Sequence, residues 1–248
     1  MLNTLKIKPI PTQKDDIVQP KLALNGTIPR LTTSSIFVGK SGSGKSNLVA
    51  NLLLNKHFYG DSFKHIFLIS PTGLGDDIQK ALKIPDACVV TDIKNDAEPF
   101  LQRIYDHQTQ QIEKHGVSKV PMILCIFDDI IGDTHFMNSS IFTACFIRCR
   151  HANMTTFLCS QHFKAVPKKC RLQAACLFFF ALSNNETDLV CEEFSPPGVH
   201  KKTFKSIVER VIRKPYDFLM INMKEPWSRR FRHNLDQIID IDSYKING

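Results

Sequence analysis

The feature that most constrains this chain is a glycine-rich segment with the pattern Gly-x-x-x-x-Gly-Lys-Ser. An apolar strand candidate, residues 35–38, precedes the segment, and a helix candidate, residues 47–54, follows it. This order is typical of a phosphate-binding loop, whose backbone N–H groups surround phosphate oxygens at a helix N-terminus. The candidate nucleotide-binding residues are Gly39, Lys40, Ser41, Gly42, Ser43, Gly44, Lys45, Ser46 and Asn47.

Two side chains of this loop have predicted chemical roles. The Lys45 ammonium is expected to bind the β- and γ-phosphates and so to act in catalysis, and the Ser46 hydroxyl is expected to bind Mg²⁺. A GTPase would also carry an Asn-Lys-x-Asp motif that recognises guanine, and this sequence has none. The loop therefore predicts ATP and Mg²⁺ as ligands.

A second pattern is an apolar run, residues 122–127, that ends in two adjacent carboxylates, Asp128 and Asp129. Side chains alternate along a strand, so neighbouring acids at its end point in different directions. Asp128 is predicted to bind the metal, and Asp129 to orient or deprotonate the attacking water. The other interpretation is a pair of acids that opens a turn, but the phosphate loop favours the catalytic one.

A third strand candidate, residues 155–159, leads to Ser160 and Gln161. Gln161 is predicted to contact the γ-phosphate or the attacking water. Hydrolysis in a multisubunit motor also benefits from an arginine that stabilises the transferring phosphoryl group of a neighbouring subunit. Arg150 is the preferred candidate for that role, and Arg148 and Arg171 are the alternatives.

The whole chain of 248 residues has a formal net charge of +8. Clusters of lysine and arginine are concentrated in its last third. Such clusters favour a polyanionic partner, although each cluster alone is also compatible with a solvated surface. The candidate DNA-binding residues are Lys168, Lys169, Arg171, Lys201 and Lys202.

Other compositional features limit the class of protein. The longest apolar runs are too short to span a bilayer, and the first residues lack the apolar core of a signal peptide, which predicts a reducing compartment and no membrane span. The eight cysteines form no Cys-x-x-Cys pair and are expected to be mostly small buried residues. A zinc site of Cys145, Cys149 and His151 is a minor alternative, because a fourth spaced ligand is missing.

Strand and helix candidates alternate along the chain, which predicts an α/β fold of the phosphate-loop NTPase type, with a mainly parallel central sheet flanked by helices. Between Lys45 and Asp128 the chain has room for additional strands, as in ATPases with an inserted strand and a catalytic acid. We predict an extended N-terminal arm over residues 1–30, an ATPase domain over residues 31–225 and a basic C-terminal extension over residues 226–248.

The order of these motifs resembles that of viral genome-packaging ATPases in the FtsK–HerA superfamily, over roughly residues 30–235. The sequence departs from the wider superfamily at Asp129, where many members have glutamate. The resemblance is carried by Gly39–Ser46, Ser70-Pro71-Thr72, Asp128-Asp129, Arg150-His151, Ser160-Gln161 and Lys168-Lys169-Cys170-Arg171.

The resemblance implies an ATP-driven translocase that moves double-stranded DNA into a preformed capsid. It further implies Mg²⁺, a homo-oligomeric ring of five or six subunits, a capsid or portal-vertex partner, and a location at assembly sites in the host cytoplasm or in the virion. Two alternatives remain open from the sequence: a nucleotide or small-molecule kinase, and an ATP-gated DNA-binding switch that does not move DNA.

Overall fold

The computed structural model describes residues 17–244, and one nine-stranded sheet organises them. The strand order across the sheet is β3-β2-β4-β5-β1-β6-β7-β8-β9. The strands are β1 Ser34–Val38, β2 His65–Ile69, β3 Val89–Val90, β4 Ile123–Asp128, β5 Met154–Ser160, β6 Cys176–Phe179, β7 Leu219–Asn222, β8 Phe231–His233 and β9 Gln237–Ile238.

Helices of very different length connect these strands. The α-helices are α1 Lys21–Leu24, α2 Lys45–Leu54, α3 Asp77–Leu82, α4 Glu98–His115, α5 Thr134–Asn138, α6 Ser140–Ile147, α7 Lys168–Gln173, α8 Asn184–Phe194, α9 Lys201–Val211 and α10 Trp227–Arg230. A π-helical turn at Ile93–Ala97 leads into α4, and 3₁₀ turns lie at Asp86–Cys88, Val117–Lys119, Ile130–Gly132, Cys149–Ala152 and Asp242–Tyr244. None of the helices within the described residues is long and apolar enough to cross a bilayer.

The first six strands in chain order, β1 to β6, pair in parallel, and β7 to β9 add antiparallel pairs at one side. The predicted α/β fold with a mainly parallel central sheet is therefore confirmed. Strand β5 lies between β1 and β4, so the strand before the phosphate loop and the strand before the two aspartates are not neighbours.

Apolar side chains cover both faces of the sheet, because strands buried on both sides alternate between two cores. One core joins α1, α2 and α3 through residues such as Val49 and Ile78. The other joins α4 through α9 through residues such as Leu101, Phe142 and Phe204. The sheet edge that carries the carboxyl ends of the parallel strands is thus held rigidly from both sides.

Two helical segments differ from their sequence expectation. The pattern over residues 136–150 predicts one helix, but Ser139 has an extended backbone and its side chain accepts the Phe142 N–H, so the helix restarts there as α6. Helix α8 was not predicted, although Ser183 and Glu186 have the spacing of a capping box. Ser183 indeed caps this helix by accepting the Glu186 N–H.

The ends of the described chain pack against the central domain. The predicted arm over residues 1–30 lies partly outside the described residues, but in the described part Ala23 and Ile28 are buried in the core. The predicted C-terminal extension, residues 226–248, contributes β8 and β9 to the same sheet. Phe231 is fully buried, which explains why this segment folds back onto the domain.

Candidate active site

Three of the predicted motifs meet at one edge of the sheet. The phosphate loop follows β1, Gln161 follows β5, and the two aspartates lie at the end of β4. Because parallel strands end at the same edge and β5 lies between β1 and β4, Gln161 is placed between the loop and the aspartates. Ligands of open α/β sheets bind at this carboxyl edge.

Close contacts explain one of the loop glycines, and backbone conformation explains another. A Cβ at Gly39 would lie 2.6 Å from Ser43 Oγ and 2.7 Å from Phe180 Cβ, so no larger residue fits there. Gly44 has a φ of 106°, which only glycine adopts readily, and it is the N-cap of α2. The loop therefore has the tight curve that turns its backbone N–H groups toward an anion.

The Lys45 side chain folds back over the loop. Its Nζ donates hydrogen bonds to the carbonyl oxygens of Gly39, at 2.6 Å, and Lys40, at 3.1 Å. Lys45 is buried, whereas Ser46 and Asn47 beside it in the first turn of α2 are exposed. The helix N-terminus thus combines an ammonium, an accessible hydroxyl and N–H groups without helical partners, which together favour a polyphosphate.

The Asp128 carboxyl group has a pKa raised to about 6. Burial is the main cause, the positive charge of Lys45 opposes it, and the negative charges of Asp129 and Asp76 add to it. A half-buried carboxylate among other acids is stabilised by a cation, and Mg²⁺ prefers such oxygen ligands. Ser46 and Asp128 therefore offer oxygen ligands of the kind that Mg²⁺ prefers.

Asp129 occupies the turn that follows β4. Its φ of 52° is in the left-handed region, which aspartate tolerates better than most residues, and its side chain is exposed. Gln161 Nε2 lies 3.4 Å from both Asp129 carboxylate oxygens, so these contacts are long. Backbone strain at such a turn is characteristic of functional sites.

Asp76 is a site residue that the sequence analysis missed. It lies after β2, caps α3 by accepting the Gln79 N–H, and contributes to the raised pKa of Asp128. Only the strand order, which makes β2 the neighbour of β4, brings Asp76 to this edge. The one local signal was an acidic pair, Asp76-Asp77, shortly after a strand.

The structure does not bring Arg150 to the site of its own chain. Arg150 lies in the 3₁₀ turn before β5, at the amino end of that strand, and its side chain is exposed. The length of β5, about 20 Å at roughly 3.3 Å per residue, separates it from Gln161. Arg148 precedes the same turn and is also exposed. Arg148 and Arg150 therefore lie too far from Gln161 to act in the site of their own chain.

The assignment of Arg171 as a DNA contact or trans-acting arginine is wrong. Its side chain is only 9% exposed and its Nη2 lies 2.5 Å from Glu193 Oε1. Nη1 also donates to the carbonyl oxygens of Val166, at 2.7 Å, and Lys164, at 3.3 Å. A guanidinium saturated in this way stabilises the fold, and removing one partner of such a pair leaves an uncompensated buried charge.

The four lysines of the predicted DNA surface are exposed. Lys168 and Lys169 begin α7, and Lys201 and Lys202 begin α9, both on the side of the sheet that carries α4 to α9. Positive side chains in the first turn of a helix are unfavourable for the helix itself, but they add to its attraction for anions. Their position is compatible with phosphate contacts.

The cysteines do not form a zinc site among the described residues, where no group of three or more potential ligands occurs. Cys145 and Cys149 are buried, which raises their pKa values to about 12 and about 11. Cys149 Sγ donates to the Thr32 carbonyl oxygen at 3.5 Å, whereas His151 is exposed. Protonated core thiols are poor metal ligands.

Solved structures with the same fold include viral and conjugation proteins. The genome packaging NTPase B204 of Sulfolobus turreted icosahedral virus 2, in complex with AMP, has a TM-score of 0.54 at 17% identity, over 81% of this chain and 96% of B204. B204 from Sulfolobus turreted icosahedral virus, described as the DNA-packaging ATPase, has a TM-score of 0.55 at 15% identity, over 82% and 97%. The pCW3 conjugation coupling protein TcpA reaches 0.59 at 11% identity, over 86% of this chain and 62% of TcpA. At these identities the likeness establishes the fold.

Sequence comparison identifies viral relatives. Protein 015R of Frog virus 3 (isolate Goorha) is 26% identical over 185 residues, which are 72% of this chain and 53% of that protein. This chain thus spans about half the length of its curated relative. A sequence profile for the Poxvirus A32 protein matches residues 31–221, from the segment before β1 into β7. The chain therefore belongs to the Poxvirus A32 protein family.

Proposed function

We propose that this protein is an ATPase whose hydrolysis drives double-stranded DNA into a viral capsid. The observation that carries the proposal is the convergence of Lys45, Asp128, Asp129 and Gln161 at the carboxyl edge of β1, β4 and β5. The fold shared with a genome packaging NTPase and membership of a viral family support the same activity.

In the proposed mechanism the triphosphate lies along the loop and the N-terminus of α2. The Lys45 ammonium moves from the Gly39 and Lys40 carbonyl oxygens to the β- and γ-phosphates, where it neutralises charge that develops during phosphoryl transfer. Ser46 and Asp128 would hold Mg²⁺, which would supply positive charge to offset the negative charge of the phosphates.

Asp129 and Gln161 act on the attacking water in this mechanism. The Asp129 carboxylate accepts a proton from the water or orients it, and the Gln161 amide fixes the water and the carboxylate relative to each other. Their contacts of 3.4 Å leave room to tighten when the γ-phosphate and water are in place. Loss of the γ-phosphate then releases Gln161.

A short connection links Gln161 to the proposed DNA surface. Residues 162–167 join it to α7, and this segment is anchored at two points. Glu186 accepts the Phe163 N–H at 2.6 Å, and Arg171 donates to the Val166 carbonyl oxygen at 2.7 Å. A shift of Gln161 would therefore reach Lys168, at the start of α7, by moving or breaking these two contacts.

We further propose that the active unit is a homo-oligomeric ring in which Arg150 enters the site of the neighbouring subunit. Arg150 lies far from its own loop but is exposed, as a trans-acting arginine must be. Such a ring would dock on a capsid or portal vertex at assembly sites in the host cytoplasm, and it would remain associated with the virion if docking is permanent.

Mixing two inactive variants tests the ring. Lys45→Ala subunits retain Arg150, and Arg150→Ala subunits retain an intact phosphate loop. In a mixed ring an intact loop can therefore meet an intact Arg150 from its neighbour. ATP hydrolysis is expected to recover, most strongly at an equimolar ratio. The control mixture combines Lys45→Ala with Asp129→Asn, whose defects both lie in the site of one subunit, and it should stay inactive. If no ratio restores hydrolysis while both variants assemble, Arg150 is not the trans-acting residue.

A salt titration tests DNA binding. Affinity for duplex DNA is expected to fall with salt at a log–log slope of about −0.9 per neutralised phosphate. Replacing Lys168 and Lys169 with alanine should flatten the slope by roughly one to two units and reduce DNA-stimulated hydrolysis more than basal hydrolysis. The measurement uses two duplexes of unrelated sequence. A packaging motor is expected to contact phosphates and not base edges, so it should bind both duplexes alike.

The matched control replaces Lys80 and Lys83, two exposed lysines at α3 on the other side of the sheet. This variant should keep the wild-type slope and stimulation. An unchanged slope for the Lys168 and Lys169 variant would remove α7 from the DNA surface. A strong preference for one duplex would instead favour a DNA-binding switch that recognises a base sequence. ATP hydrolysis that DNA does not stimulate would contradict the proposed DNA translocase.

A further inference from the structure

A cavity of about 290 Å³ adjoins the phosphate loop on the side away from the two aspartates. Gly42 and Ser43 of the loop form one wall of the cavity. The opposite wall is formed by Ala181 after β6 and by residues 212–216 between α9 and β7. Nothing in the hydrolysis mechanism uses this cavity.

Tyr216 is the unusual residue in the cavity wall. It has a φ of 68°, in a region that an aromatic residue adopts only at a cost, and it is 66% exposed. Its Cδ1 lies 3.1 Å from the position that a Cβ would take at Gly44, so the ring stands beside the first turn of α2. An exposed ring held in a strained backbone next to a phosphate loop indicates a ligand contact.

Hydrogen bonds hold the Tyr216 turn in place. The Asp217 N–H donates to the Lys214 carbonyl oxygen at 3.2 Å. The Asp217 carboxylate accepts from Asn234 Nδ2 at 3.1 Å and lies 3.1 Å from His233 Nε2. These contacts tie the turn to β8 and the segment that follows it, so the sheet holds the backbone that carries Tyr216.

The direction of the bound nucleotide follows from the strand order. Strands β5 and β4, which carry Gln161 and the aspartates, lie on one side of β1, and β6 lies on the other. If the γ-phosphate faces Asp129 and Gln161, the nucleoside lies at the other end of the loop, on the side of β6. The cavity between the loop and residues 212–216 lies on that side.

We propose that the cavity binds the purine base of the nucleotide and that Tyr216 stacks on it. Ile212 and Pro215 supply apolar contacts beside the ring. None of the described residues that line the cavity has a carboxylate or amide side chain, and its two cationic residues, Arg213 and Lys214, are exposed to solvent. The base is therefore held mainly by its face, where a two-ring purine offers more stacking area than a pyrimidine, and the substrate class is purine nucleoside triphosphates and not ATP alone. This inference rests on the proposed function, which makes the loop a triphosphate site.

Binding of ATP, GTP and tripolyphosphate, each with Mg²⁺, tests the inference by titration calorimetry. Base–aromatic stacking predicts that Tyr216→Ala weakens ATP and GTP by roughly 5- to 150-fold. Tripolyphosphate has no base, so its affinity should stay unchanged. Tyr216→Phe keeps the ring and should bind all three probes like the wild type. Wild-type affinities for ATP and GTP should agree within about tenfold, since no edge contact worth 1.4 kcal/mol separates them.

The outcomes separate this inference from the proposed function. A wild-type protein that binds neither ATP nor tripolyphosphate contradicts both. Normal ATP affinity in Tyr216→Ala overturns the stacking alone. Equal losses of ATP and tripolyphosphate in Tyr216→Ala would show that Tyr216 supports the loop and not the base, and a preference for ATP over GTP far above tenfold would show that another group reads the base edge.

Discussion

Lys45→Ala protein is expected to fold normally and to lose ATP turnover by at least about 10²- to 10³-fold, the usual effect of removing one preorganised charge from a transition-state site. The two hydrogen bonds that the Lys45 ammonium makes go to loop carbonyl oxygens, and no other element of the fold depends on them. The loss should therefore appear in hydrolysis and in nucleotide affinity, measured by phosphate release and calorimetry, and not in the thermal midpoint.

Lys56→Ala is the matched control for this change. Lys56 follows α2 and has the same charge, but its side chain is 85% exposed and its ion pair with Asp61, at 3.8 Å, lies outside the loop. Turnover within a few-fold of wild type is expected for this control. Hydrolysis at the wild-type rate by folded Lys45→Ala protein would place the active site elsewhere.

The phosphate loop was predictable because its chemistry is contained in consecutive residues. The glycines, Lys45 and Ser46 are constrained by one turn and by the first turn of one helix, so a sequence pattern is enough. The parallel sheet was predictable for a similar reason, since alternating apolar strands and helices leave few arrangements. The roles of the site residues remain predictions.

The sequence could not give the contacts that depend on strand order. Asp76 approaches Asp128 only because β2 neighbours β4, and Tyr216 approaches the loop only because β7 follows β6 in the sheet. Arg171 was misassigned because a run of basic residues does not reveal which side chain turns inward. Its partner Glu193 lies on α8, a helix whose capping signal was overlooked.

The second large effect is expected from Asp129→Asn, which should bind MgATP but hydrolyse it about 10²- to 10⁴-fold more slowly, as general-base removal does. Asparagine keeps the shape of aspartate and tolerates the left-handed backbone at this position. The turn after β4 should therefore survive, and only the proton acceptor is lost. Single-turnover kinetics with bound ATP separates this defect in chemistry from a defect in binding.

Asp128→Asn should fail differently, by losing MgATP affinity. Because the pKa of Asp128 is about 6, the carboxylate that binds Mg²⁺ is present above that pH and becomes protonated below it. Wild-type MgATP affinity is thus expected to fall as the pH drops through about 6, and Asp128→Asn should flatten this pH dependence. Asp129→Asn should retain it.

The stability of the Asp128→Asn protein gives an independent check that folding raises the pKa of Asp128. The pKa of this carboxyl group is near 4 in the unfolded chain and about 6 in the folded protein. Between these two pH values the folded protein loses stability as the pH rises, because ionisation costs more in the folded state. Removing the charge should therefore leave the protein at least as stable as the wild type at neutral pH, in urea or thermal unfolding. Equal loss of nucleotide affinity in the two variants, or a less stable Asp128→Asn protein, would contradict the division of roles between a half-buried metal ligand and an exposed base.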